Sequence, residues 1–178
     1  MTVRTARTDD LTPREVRDIR KLMDRAFADD EGFDEDDWQH ALGGLHFIIH
    51  ADGGIASHAS VVPRQLLAGD VLLRAGYVEA VATDPRLQGR GFGTRIMEAV
   101  GAHISDSFEI GALGTGKFGF YERLGWRRWR GPTSVRTEHG RERTPDEDGY
   151  VMVLVTPASP TLDSHAELSC EWRPGDVW

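Results

Sequence analysis

RLQGRGFGTRIMEAV (residues 86–100) alternates Gly89, Gly91 and Gly93 with Arg90 and Phe92, then continues as an apolar pattern of helical period. Glycine costs a helix about 0.5–1 kcal/mol relative to alanine, so three of them where a helix should begin need a reason. One reason is a tight strand-to-helix turn and nothing more. The other is an anionic ligand that must approach bare backbone. The first N–H groups of a helix lack intrahelical acceptors, and they lie at the positive end of the macrodipole. The spacing alone leaves both readings open. It excludes two familiar loops: no Gly-Lys-Ser/Thr closes the stretch, and no acidic residue ends a following strand as a dinucleotide-binding turn requires. The helix is expected from about Thr94.

Working outward, VLLRAGYVEAVATD (residues 71–84) is a long strand rich in β-branched residues. Strict alternation across residues 77–83 puts Tyr77, Glu79, Val81 and Thr83 on one face, with Val78, Ala80 and Ala82 on the other. Upstream, LHFIIHADGG (45–54) and IASHASVVPRQLLAGD (55–70) are strands joined by a turn at Asp52, Gly53 and Gly54. VRTARTDD (3–10) supplies a short first strand. In LTPREVRDIRKLMDRAFADD (11–30), Thr12 is the N-cap, Pro13 stands at N1 and Glu15 at N3 closes a capping box. Val16, Ile19, Leu22, Met23, Ala26 and Phe27 form the apolar stripe of that helix. The acidic DDEGFDEDDW (29–38) leads into a short helix ending at Gly43 and Gly44.

Downstream, FEIGALGT (108–115) is a strand, KFGFYERLGW (117–126) a short helix and YVMVLV (150–155) a late strand. AELSCEWRPGDVW (166–178) holds one more strand-like segment. Neither a repeat nor a low-complexity linker interrupts the chain, so residues 1–178 are expected to form a single domain. The order of elements predicts an α/β or α+β sandwich around a central sheet.

Composition narrows the chemistry. The 178 residues carry 29 Asp and Glu against 21 Lys and Arg, a net charge of −8. That balance argues against nucleic acid, whose phosphates demand a basic footprint, and is compatible with a cationic small molecule. Cys170 is the single cysteine, which excludes an internal disulfide and suggests a reducing compartment. Its LSCEW context reads as a small buried hydrophobe, since no neighbouring base would lower its pKa. No apolar run approaches the roughly 20 residues of a membrane span, and no apolar stretch follows the basic N-terminus, so a cytoplasmic protein is expected. Seven histidines are present. His46 and His50 would point the same way on their strand, but no third ligand is placed near them and no zinc spacing occurs, so no metal is expected.

The stretch GYVEAVATDPRLQGRGFGT resembles the signature of the GCN5-related N-acetyltransferases: a strand followed by Arg/Gln-x-x-Gly-x-Gly/Ala, met by Arg86, Gly89 and Gly91. The resemblance implies a central mixed, splayed β-sheet flanked by helices, with the glycine turn cradling the pyrophosphate of acetyl-CoA. Residues Gln88, Gly89, Arg90, Gly91, Phe92, Gly93 and Thr94 would form that cradle. Val81, Ala82 and Thr83 would pair with the pantetheine arm, and the N–H near Val81 would meet the oxyanion.

A narrower resemblance runs through nearly the whole chain. The segments AFA…W.H.LGG.H, GYVEAVA, GWRRWRGPTSV, RTPDEDG and CEWRPGDVW are similar to those of the aminoglycoside 2'-N-acetyltransferases. The TPDEDG turn and the terminal GDVW are its most specific parts. This family likeness implies a polycationic aminoglycoside as acceptor and a homodimer, and it assigns substrate contacts to Glu79, Ala80, Gly114, Glu147, Asp148, Asp176 and Trp178. Two departures bear on the drug range rather than the reaction. Gly32 precedes Phe33 where the family has Asp, which shifts the early acidic contact to Glu31 or Asp30. Residues 114–121 form a shortened segment in which Gly114 replaces a serine.

Acetyl transfer to an amine needs a bound thioester, a neutral amine, an oxyanion site and a proton for the leaving thiolate. Glu79 reads by itself as a partnered or edge-exposed carboxylate; beside the glycine turn it matches the family's base, acting through water. Tyr121 reads by itself as an amphipathic core tyrosine beside Phe118 and Phe120. Its phenol, ordinarily near pKa 10, matches the family's general acid. An anchored Trp178 would hold its own carboxylate beside Asp176 as a second negative charge for an ammonium-rich ligand. Two other readings compete: an acetyltransferase for another small amine, and a non-catalytic acyl-CoA-binding module. Retention of both Glu79 and Tyr121 speaks against the second.

Overall fold

The computed structural model describes residues 2–28 and 32–178. Among them ten strands and four α-helices form two compact units, Met1–Val62 with Val78–Ala102, and Pro63–Tyr77 with His103–Trp178.

In the first unit, β1 (Arg4–Arg7) pairs antiparallel with β2 (Leu45–Ala51), and β2 with β3 (Gly54–Ala68). The β2–β3 turn uses Asp52 and Gly53, both left-handed (φ 51° and 80°), which matches the twist of a two-residue hairpin. Helix α1 (Pro13–Ala26) begins as its sequence dictates: Thr12 Oγ1 accepts from the Glu15 N–H, and the Glu15 carboxylate accepts from the Thr12 N–H. Its Ile19, Leu22 and Met23 pack with Trp38 and Ala41 of α2 (Glu35–Ala41) on Ile48, Ile55 and Ala82. Burying such side chains contributes about 1.5–3 kcal/mol each. α3 (Phe92–Ser107) starts in this unit.

The second unit continues β3 and opens with the first part of β4 (Val71–Thr83). There β4 pairs parallel with β5 (Ile110–Gly114), and β5 antiparallel with β9 (Val151–Val155), which also takes β6 (Arg127–Arg128). β3 pairs with β10 (Leu168–Glu171), β10 runs parallel to β7 (Thr133–Thr137), and β7 pairs with β8 (Gly140–Arg143). α4 (Phe118–Glu122) follows β5. Since β3 and β4 are themselves neighbours, the sheet is mixed and the class is α+β, as expected.

Three details correct the sequence reading. Strands β6, β7 and β8 had no counterpart in it. α3 starts at Phe92 rather than Thr94, because the Gly91 carbonyl already accepts the first helical bond, from Arg95 N–H (3.0 Å). His46 and His50 do not share a simple alternation, since the β2–β3 register shifts between Ile49 and His50.

Candidate active site

In the first unit the end of β4 departs from a regular strand. Ala80 is left-handed, with φ 49°, a conformation that costs an L-residue about 1–2 kcal/mol. The alternation expected for residues 77–83 is therefore broken at Ala80, and Glu79 and Val81 are not related by simple pleating. Side chains of β3 hold the irregularity: Ser57 Oγ donates to the Ala82 carbonyl (2.9 Å), His58 Nδ1 to the Ala80 carbonyl (2.8 Å) and Ser60 Oγ to the Glu79 carbonyl (3.4 Å). In a planar trans peptide the C=O and the next N–H point oppositely. With the carbonyls of Glu79 and Ala80 both turned to β3 side chains, the N–H groups of Ala80 and Val81 are both turned away from them. A regular strand would alternate them. Glu79, Ala80 and Val81 are all half-buried.

β4 ends at a turn fixed by a buried carboxylate. Asp84 accepts from Arg86 twice, at Nε (2.9 Å) and Nη2 (2.8 Å), and from the Arg86 N–H (3.0 Å). Arg25 of α1 approaches Oδ2, the oxygen that Arg86 Nη2 also binds, at 3.0 Å. These hydrogen bonds and charges hold the Asp84 carboxyl well below the usual carboxylate range. The signature's arginine thus builds the turn. Gly89 and Gly91 follow with φ of 75° and 83°, so the backbone itself demands glycine there. A Cβ at either position would meet no atom within 4 Å, which leaves open space beside the turn. The N–H groups of Phe92, Gly93 and Thr94 precede the first intrahelical bond of α3 and lack helical partners. Open space, left-handed glycines and three donors at the positive helix end fit a pyrophosphate. Gln88 and Arg90 flank the turn, reaching Thr83 O and Asp52 at 3.5 Å each.

In the second unit Gly114 ends β5. A Cβ there would lie 3.7 Å from the Tyr77 hydroxyl and 3.9 Å from the Trp178 carbonyl carbon, so the three residues converge. Trp178 is buried; its indole Nε1 donates to Thr144 Oγ1 (2.9 Å) and its N–H to Asp176 Oδ1 (3.0 Å). Arg64 and Arg173 lie over the Tyr77 ring, 4.7 and 5.5 Å from its centroid. Both also bind the tail, Arg64 at the Val177 carbonyl (2.8 Å) and Arg173 at the Asp176 carbonyl (2.8 Å). Tyr77 and Thr144 had no sequence signal beyond their polarity.

Tyr121, in α4, is buried against Phe120 and Trp126, with ring centroids 4.9 and 6.2 Å away. Phe118 packs instead on Tyr150, under the Arg128 guanidinium. Burial pushes the Tyr121 phenol up to about 12 rather than its ordinary 10, so it stays protonated throughout the working range. Glu147 is half-buried, and its carboxyl is pushed up by burial and then by Asp176 and Asp146. That mutual repulsion is what a polyammonium ligand would relieve. Asp148 is otherwise engaged: its carboxylate accepts from Thr133 N–H (2.7 Å), Thr133 Oγ1 (2.9 Å) and Arg143 (2.6 Å), bonds that brace β7. Asp30 and Glu31 lie outside the described residues.

Cys170 is buried, and its Sγ lies 3.3 Å from the Val177 carbonyl. Burial pushes the thiol up to about 11, which keeps it protonated at neutral pH. Among the described residues no group of three or more His, Cys, Asp or Glu could hold a metal ion, and no helix is long and apolar enough to cross a membrane.

Comparison with known proteins adds to this geometry. The pattern of the acetyltransferase (GNAT) domain family matches residues 7–129. Over 181 residues the chain is 42% identical to an aminoglycoside 2'-N-acetyltransferase of Mycolicibacterium fortuitum, covering 99% of this chain and 92% of that one. Its backbone is similar to the crystal structure of a GNAT family N-acetyltransferase from Escherichia coli in complex with CoA (TM-score 0.66, 14% identity, 95% of this chain and 88% of that one). It is similar also to a GNAT family acetyltransferase from Brucella melitensis in complex with acetyl-CoA (TM-score 0.60, 19% identity, 91% and 94%).

Proposed function

Because the chain belongs to the acetyltransferase (GNAT) domain family and is an acyltransferase, we propose that it transfers the acetyl group of acetyl-CoA to the 2'-amino group of an aminoglycoside. The observation that carries the choice of acceptor is the 42% identity to the Mycolicibacterium fortuitum enzyme, which runs through 99% of this chain. The charge of −8 suits a polycationic acceptor.

In this reading the helix-start N–H groups of Phe92, Gly93 and Thr94 bind the pyrophosphate, with Gln88, Gly89, Arg90 and Gly91 around it. The backbone of Val81, Ala82 and Thr83 pairs with the pantetheine amides. Glu79 accepts, through a water molecule, the proton that the substrate ammonium must lose before its nitrogen can attack. The N–H of Val81 donates to the thioester oxygen as negative charge develops there. Tyr121 gives its proton to the sulfur as the carbon–sulfur bond breaks, while the acylated nitrogen gives up its second proton to solvent, from which Tyr121 is reprotonated. For the acceptor, the family likeness assigns Ala80 in the first unit and Gly114, Trp178, Glu147 and Asp176 in the second, the two carboxylates as partners for ammonium groups.

A coenzyme A release assay tests this with two aminoglycosides, one bearing a 2'-amine and one a 2'-hydroxyl. Turnover of the 2'-amine alone is expected. Equal turnover of both, or of neither, would remove the assignment.

A further inference from the structure

β2 and β3 carry a buried pair of imidazoles outside the residues assigned to chemistry so far. His46 and His58 are both fully buried, their rings 5.2 Å apart, with Trp38 6.5 Å from His46. They belong to a chain of hydrogen bonds with four links. The Gly43 N–H meets Thr8 Oγ1 (2.9 Å), Thr8 Oγ1 meets His46 Nε2 (2.9 Å), His46 Nδ1 meets His58 Nε2 (3.0 Å), and His58 Nδ1 meets the Ala80 carbonyl (2.8 Å).

Both ends of this chain have fixed polarity. A backbone N–H only donates and a carbonyl only accepts. The Ala80 carbonyl therefore requires the proton of His58 on Nδ1, which leaves Nε2 as the acceptor for a neutral ring. His46 must then carry its own proton on Nδ1 and accept at Nε2 from the Thr8 hydroxyl. Thr8 in turn accepts from Gly43. With both rings neutral every donor and acceptor of the chain is matched, whereas a second proton on His46 would turn Nε2 into a donor and deprive the Thr8 hydroxyl hydrogen of that acceptor; burial of both rings also disfavours the charge.

We propose that the His46–His58 pair is a positioning device that holds the Ala80–Val81 peptide so that the Val81 N–H is aimed at the developing oxyanion. The rigid His58 ring fixes the Ala80 carbonyl, and peptide planarity then fixes the Val81 N–H on the opposite side. His46 removes the freedom of His58 to flip, because a flipped ring would leave the Ala80 carbonyl without a donor and set His46 Nδ1 against carbon. Alanine does not choose the left-handed region, so something outside residue 80 has to hold it there. Imidazole suits the task because it is a stiff spacer that donates at one edge and accepts at the other. His58 acts through the backbone and touches no substrate. The role in rate rests on the acyl-transfer reading, whereas the tautomers and the conformation of Ala80 do not.

Three measurements test it. Long-range proton–nitrogen NMR of the wild-type chain at pH 7 should find both rings neutral with the proton on Nδ1; a charged ring, or an Nε2–H tautomer at His58, would overturn the chain as drawn. His58→Asn retains a donor where Nδ1 was, while His58→Gln moves the amide to where Nε2 was. Both lose part of the chain, so similar falls in melting temperature are expected. Their rates should separate: His58→Gln should lower kcat about 30–100-fold with the KM for acetyl-CoA within about threefold, and His58→Asn should stay within about fivefold of wild type. Equal losses of kcat in the two variants would reduce the pair to a folding element. Crystal structures judge the same point without an acceptor: φ at Ala80 should remain positive in His58→Asn and become negative in His58→Gln, and a positive value in both would sink the proposal. A wild-type chain that leaves aminoglycosides untouched would remove the acceptor assignment while leaving this last test intact.

Discussion

The turn at Asp84 to Thr94 and the side chains of Tyr121, Glu147, Asp176 and Trp178 in the second unit are built in opposite ways. The turn offers backbone. Its shape follows from two left-handed glycines and from a buried aspartate clasped by Arg25 and Arg86, and its donors are the N–H groups of a helix start. The other region offers side chains: a buried phenol, two carboxylates that repel one another, and an indole anchored on Thr144. A site made of backbone is specified by conformation and tolerates few substitutions, while one made of side chains can change its ligand residue by residue.

The largest effect that sharpens the contrast should come from Tyr121→Phe. It removes one hydroxyl and no conformation, so kcat should fall by about 10²–10⁴-fold with both KM values nearly unchanged. Because burial raises the phenol to about 12, the wild-type kcat should show no loss from Tyr121 ionisation up to pH 10. A descending limb near pH 9 that vanishes in the variant would contradict that protonation state.

Gly91→Val attacks conformation instead. The left-handed backbone should cost about 1–2 kcal/mol of stability. Displacing even one charge-assisted N–H bond should raise the KM for acetyl-CoA about ten- to a hundredfold. Urea titration and initial rates separate the two effects. Lost stability with an unchanged KM would make the turn purely structural and erase the contrast.

The smallest effect is expected at Glu147. Glu147→Gln should raise the aminoglycoside KM about tenfold, in line with one charge-assisted bond, and spare acetyl-CoA. Its raised carboxyl carries a definite sign for stability. Such a group favours the fold below its unfolded pKa, and this contribution is lost as pH rises through the raised folded value. Glu147→Gln should therefore melt higher than wild type at pH 7, with the gap closing below pH 4.5. A variant that melts lower at pH 7 would mean the carboxylate is stabilised by partners rather than strained by neighbours.

What the sequence discloses is local. Thr12, Pro13 and Glu15 announce the start of α1 within four residues, and Gly53 marks the β2–β3 turn, because each acts on backbone close to itself. The glycine turn was legible as a turn, though the spacing could not say whether glycine was needed for φ or for space. The structure answers for φ, near 80° at Gly89 and Gly91, while a Cβ at either would meet nothing within 4 Å. The rest depends on partners distant in the chain. Ala80 gives no hint of a left-handed backbone, since what holds it there is His58, 22 residues earlier. Asp148 was expected as a substrate contact from the family likeness, and nothing local in its turn announced the bonds it takes from Thr133 and Arg143. β6 to β8 are short strands whose pairing partners lie elsewhere in the chain, beyond the reach of a local pattern.

Cys170 offers an experimental handle that owes nothing to catalysis. As the chain's single thiol, enclosed in β10 and with its ionisation suppressed by burial, it cannot meet a soluble disulfide reagent while its strand is closed. Its labelling rate is therefore a clock for the opening of the terminal strand. Followed against reagent concentration, the rate reports the free energy of that opening when closing outpaces labelling, and the opening rate itself when it does not. A native residue thus provides a reporter of local breathing, with no dye attached beforehand.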